Sequence, residues 1–182
     1  MKDYILLLPL IYLFHDFEEI IGFGWFFRNN PEVFTKYPRL TAAYRDFTDV
    51  GMAVGVFEQL ILFFGGLSVL AYYFPCRVLY GAWYAMLLGL TAHFVVHICI
   101  CVYIGKYVPS LITSVICLPI GILILVKTAS LMTFDTLTVV SAAVTIPAMM
   151  LNMKLGHIGM FSIGKKISSQ KQDGERSLHS PS

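Results

Sequence analysis

Charge is scarce in this sequence. Only 13% of its 182 residues are Asp, Glu, Lys or Arg, about half the share found in ordinary soluble domains. So few charges cannot cover a water-facing surface of this size, which excludes a soluble globular domain. Hydrophobic residues make up 57% and the mean hydropathy is +0.73, which excludes a disordered chain. The low charge also leaves no electrostatic footprint for phosphate backbones, so nucleic acid is not an expected partner. Other signals are missing too. The four cysteines, Cys76, Cys99, Cys101 and Cys117, match no zinc-ligand spacing and read as small apolar packing residues. No internal repeat is evident. No small-x-small cleavage pattern follows the first apolar run, so that run is not expected to be a removed leader.

Long apolar runs are what the chain does have. Crossing a hydrocarbon core of about 30 Å takes about 20 helical residues. Five runs reach that scale, at about 4–27, 47–74, 78–104, 109–126 and 132–151. Links of a few residues between the later runs leave no room for a second domain. The expected fold is all-α: an integral-membrane antiparallel bundle of about five transmembrane helices over residues 1–160, followed by a polar tail, 161–182, expected to be disordered. Five spans put the termini on opposite sides. Lys2, Arg77 and Lys127 fall on the N-terminal side and ten basic residues on the other, among them Arg28, Lys36, Arg39 and Arg45. The positive-inside tendency then predicts a multi-pass cell-membrane protein with its N-terminus outside and its C-terminal tail in the cytoplasm. Asp46 and Asp49 read as acids at the start of the second helix. Gly51 and Gly55 form a GxxxG pattern that permits close helix approach.

The few remaining charges lie where they are costly. An ionised side chain at the bilayer centre costs about 2.5–3.5 kcal/mol on insertion scales. Yet His15, Asp16, Glu18 and Glu19 interrupt the first run, Glu58 sits in the second, and His93 and His97 sit in the third. His15, Glu18 and Glu19 are spaced i, i+3, i+4 and share a helix face, while Asp16 points about 100° away from His15. His93 and His97, one turn apart, form the HxxxH pattern that can present two imidazoles to one metal. Depth agrees. At about 1.5 Å per residue, His15 and Glu19 lie about 16 and 22 Å from the outer face, His93 and His97 about 22 and 28 Å, and Glu58 about 16 Å from the inner face. One shared site is therefore expected. Asn152 and His157 lie near the inner boundary and read as interfacial.

With Glu58 and HFVVH at 93–97, the motif HDFEE at 15–19 resembles the HXXEE family of small integral-membrane proteins over roughly residues 10–160. The resemblance implies a membrane helical bundle with an intramembrane polar site at His15, Glu18 and Glu19. It supplies no reaction.

Imidazole and carboxylate together suit zinc, iron or manganese. The expected metal ligands are His15, Glu18, Glu58, His93 and His97. The expected cofactor is a divalent metal, zinc first and iron second, and six polar candidates with Glu19 allow one ion or two. The leading expectation is a metal-dependent membrane hydrolase acting on a lipid or other amphiphile. A metal-activated water would attack, with Glu18 or Glu19 as general base. The second is a non-haem, di-iron type oxygenase, hydroxylase or desaturase, although the ExxH pairs of carboxylate-bridged bundles are absent. The third is a cation or proton transporter, against which the lack of repeats and broken helices argues.

Overall fold

The apolar runs fold into helices, and the computed structural model of the protein describes residues 1–45 and 47–178. A short helix α1 (Lys2–Ile5) leads into α2 (Leu7–Asn29), and α3 (Glu32–Lys36) and a 3₁₀ turn at Ala42–Tyr44 fill the first loop. The second span is α4 (Asp49–Gln59), a π turn (Leu60–Phe64) and α5 (Gly65–Tyr73) end to end. Then come α6 (Arg77–Ile104), α7 (Leu111–Ala129) and α8 (Thr136–Leu178). Among the described residues there are no strands.

Four helices are long and apolar enough to cross a membrane: Asp49–Tyr73, Arg77–Ile104, Leu111–Ala129 and Thr136–Gly156. The chain is a multi-pass helical membrane protein. Helix α2, at 23 residues, is long enough to cross but carries Asp16, Glu18 and Glu19. Its polar side turns inward: His15, Asp16 and Glu19 are buried, while Ile21 is 78% exposed on the outer face. This reverses the pattern of a water-soluble protein and is what a lipid surround selects.

Local chemistry explains the breaks. Thr48 caps α4, its hydroxyl accepting the Gly51 amide at 3.0 Å; Asp49 is the first helical residue, and Asp46 lies outside the described residues. In the π turn the Leu60 and Ile61 carbonyls lie where a Cβ on Gly65 or Gly66 would sit, so two glycines accommodate the extra residue. Gly105 closes α6 in the left-handed conformation, φ 71°, which glycine adopts without a steric penalty. Gly55 faces the Gly156 carbonyl of α8, 3.8 Å from where its Cβ would be. The expected close approach in α4 is thus made to α8.

Helix α8 does not end near Leu151 as the apolar run suggests. Its backbone continues to Leu178, through the stretch expected to be a disordered tail. No proline follows Pro147 until Pro181, and the Lys, Gln and Glu of this stretch are good helix formers.

Candidate metal centre

Helices α2 and α6 each bring a pair one turn apart to a common point. His15, Glu19, His93 and His97 offer ligand atoms that all lie within 4.8 Å of one another. His97 Nε2 is 2.7 Å from His93 Nε2 and 3.0 Å from Glu19 Oε1; His15 Nε2 is 3.8 Å from the same oxygen. His15, Glu19 and His97 are buried and His93 is half-buried. His97 Nε2 and Glu19 Oε1 are at ion-pair distance, while His15 Nε2 and Glu19 Oε1 are both buried without a hydrogen-bond partner. Buried polar atoms left this way are costly, and these two face each other.

The remote nitrogens are held. His15 Nδ1 is 3.0 Å from Thr113 Oγ1, and His97 Nδ1 is 2.7 Å from Ser110 Oγ. Ser110 is the residue that precedes α7, and Thr113 lies in its first turn. Thr113 Oγ1 donates to Glu18 Oε2 at 2.6 Å, so its lone pair accepts the His15 Nδ1 proton. That leaves the Nε2 lone pair directed at the group, as a metal-ligating histidine requires. Ser110 reaches His97 from an unusual backbone, φ 85°, found at no other described non-glycine residue. Such a conformation persists only where its surroundings hold it. Pro109 beside it packs against Gly22, where a Cβ would lie 2.6 Å from the proline ring. The glycine lets the α6–α7 turn approach α2.

Two expected ligands are not in the group. Glu18 is half-buried and faces the α7 N-terminus. It accepts from the Thr113 amide at 2.7 Å, the Thr113 hydroxyl, the Tyr107 hydroxyl at 2.6 Å and, more weakly, the Ile112 amide at 3.3 Å. It caps α7 from another helix, where unpaired amides and the helix dipole favour a carboxylate, and it lies outside the group of His15, Glu19, His93 and His97. Glu58 accepts from Asn152 Nδ2 at 3.2 Å and ties α4 to α8. Its depth fits the site, but its azimuth turns it to α8. Asn152 thereby gains a structural partner, and the His157 side chain lies outside the described residues.

The fit to one divalent ion is good. Three imidazoles and a carboxylate suit zinc or iron. Tetrahedral bonds of about 2.0–2.1 Å would set ligand atoms about 3.4 Å apart, within the spread seen. A second ion would need Glu18 or Glu58, both of which are engaged elsewhere.

Beside the group lies a cavity of about 330 Å³ walled by α2, α4, α6 and α8. Glu19 and His93 form part of its lining, as does Asp16. Asp16 is 7% exposed, and its Oδ2 has no hydrogen-bond partner. Helical geometry turned Asp16 away from His15, and that direction leads to the cavity. Asp16, Ser110 and Thr113 are the residues that sequence reasoning missed. The unpaired intramembrane acid was a usable signal; hydroxyls in membrane helices are too common to be one.

A family model described as a protein of unknown function with an HXXEE motif matches residues 6–124. That stretch contains the four grouped residues with Ser110 and Thr113, while α8 lies outside it. No curated protein and no solved structure matches the chain.

Proposed function

The chain belongs to the family of proteins of unknown function with an HXXEE motif, and we propose that it is a metal-dependent membrane hydrolase acting on a lipid or other amphiphile. The observation that carries this reading is the convergence of four ligand atoms within 4.8 Å, with two of them buried and without a hydrogen-bond partner. His15, Glu19, His93 and His97 would hold one ion, zinc by preference and iron second. A divalent ion there would supply a water made acidic enough to attack at neutral pH.

The chain's own residues do the rest. Thr113 and Ser110 orient the two imidazoles. Glu18 docks the α7 turn that carries those hydroxyls. Asp16 replaces Glu18 and Glu19 as the proton acceptor, because Glu19 faces the ligand group and Glu18 is occupied by its donors. The one-ion group weighs against the di-iron alternative.

Hydrolysis of decyl acetate by the purified protein tests the reading. Chelation is expected to abolish turnover and zinc to restore it. Asp16→Asn is expected to lower the rate about 10²–10⁴-fold, the range for a general acid–base group, with metal content unchanged. A metal-loaded protein inert toward decyl esters and amides, or one equally active after chelation, would overturn it.

A further inference from the structure

Helix α6 presents a second surface besides the one that carries His93 and His97. Val95, Val96, Cys99, Ile100 and Tyr103 recur at helical spacing and form a stripe along one side. With Arg39 and Leu40 of the first loop they line an open groove of about 650 Å³. Val95, Val96, Cys99 and Tyr103 are exposed, as a surface against lipid would be. The loop is pinned to one end of the stripe, where the Tyr37 ring meets the Tyr103 ring edge-on with centroids 5.4 Å apart. Arg39 follows Tyr37 by two residues, and α6 ends at Ile104. The cation therefore sits at the membrane-surface end, and Val95 lies about 12 Å deeper at about 1.5 Å per residue.

This is the pattern of an amphiphile, charged at one end and apolar below. Arg39 is the one charged residue among the described lining residues. Glu32 of the same loop is held by Lys106 at 2.5 Å, so it does not offset Arg39, while Lys36 and Arg45 add positive charge to the loop. A guanidinium offers a planar fork that takes two oxygens of one phosphate. A choline or ethanolamine head brings a cation of its own, which these three basic residues repel.

We propose that this groove binds an anionic phospholipid, with its phosphate on Arg39 and one acyl chain along the 95–103 face of α6. The assignment does not rest on the hydrolytic reading. Val96 lines both the groove and the cavity beside the ligand group, so the bound chain lies against the wall of that cavity.

Photolabelling with two lipids tests the proposal. The full-length protein in phosphatidylcholine nanodiscs receives a trace of phosphatidylglycerol or of phosphatidylcholine, each carrying a diazirine on one acyl chain, and labelled peptides are mapped by mass spectrometry. Phosphatidylglycerol is expected to label the 95–103 stretch about fivefold more than phosphatidylcholine, the preference that one basic residue supports near an anionic head. The outward α7 residues Ile112 and Val115 should be labelled equally by both. Arg39 is exposed, so Arg39→Gln should remove the preference without moving the thermal melt. Lys36→Gln, on the same loop but outside the groove lining, should keep most of it. Cys99→Trp should fill the groove and reduce labelling there by either lipid.

Equal labelling of the 95–103 stretch by the two lipids would reduce the groove to ordinary lipid contact and overturn the proposal. An anionic preference that survives Arg39→Gln, or that Ile112 and Val115 share, would do the same. Competition by glycerol phosphate as strong as by unlabelled phosphatidylglycerol would make the occupant a soluble phosphate and also overturn it. Labelling needs neither bound metal nor turnover, so its failure would leave the hydrolase reading untouched.

Discussion

Glu18 and Glu19 are neighbours in sequence with different destinations. A helix turns about 100° per residue, so one carboxylate enters the ligand group while the other meets the amides of α7. The spacing of HDFEE places both on the side of His15, because i+3 and i+4 share a face. What separates them is a tertiary partner, the α7 first turn, which no local pattern announces. Glu58 shows the same limit, since depth was readable and azimuth was not. The pairs His15–Glu19 and His93–His97 were legible because i, i+4 spacing alone aligns them. The Glu18–Thr113–His15 chain leads to a direct expectation. Thr113→Val should weaken zinc binding about 10–100-fold, the usual effect of losing a partner that orients a metal ligand, and Thr113→Ser should restore it. Competition against a chelator of known affinity measures both. A valine variant binding as tightly as the parent would show that the hydroxyl has no orienting role.

At the level of elements, the α6–α7 turn is the piece on which the centre depends. Gly105 ends α6, Tyr107 donates to Glu18, Pro109 packs on Gly22 and Ser110 holds His97. Lys106 adds an outer clamp to Glu32, which holds that carboxyl below its ordinary range. A side chain at Gly22 would push on a proline ring held in a tight turn. Gly22→Leu should therefore destabilise the protein by about 1–3 kcal/mol, typical of overpacking, and weaken metal binding as Ser110 shifts. At Gly89 an added Cβ would meet the end of the Met149 side chain, Cε at 2.6 Å and Sδ at 3.5 Å, a flexible tip that can move. Gly89→Ala should cost less than Gly22→Leu, and thermal melts of the two variants compare them. Equal losses would show that the turn is not specially constrained. The helices themselves were legible from apolar length. The π turn and the continuation of α8 were not, because both depend on the absence of a stop signal more than on the presence of one.

At the scale of the whole molecule, sequence and structure agree on a multi-pass helical bundle whose rare acids turn inward. Scarcity of charge made that readable: in lipid an acid is retained where it has partners or a function. We propose, from a five-span arrangement with three basic residues on the N-terminal side and ten on the other and from the positive-inside tendency, that the C-terminus faces the cytoplasm. A reporter fused after Ser182 should be active in the cytoplasm, and activity only outside the cell would invert the topology. The central claim is that the bundle holds one ion between α2 and α6. Elemental analysis of the purified full-length protein tests it most directly. The account predicts about one zinc or iron per chain, retained in Glu58→Gln and lost in both His97→Ala and Glu19→Gln, with the variants still folded by their thermal melts. A parent protein without bound metal after zinc loading, or metal retained in full by both His97→Ala and Glu19→Gln, would contradict it.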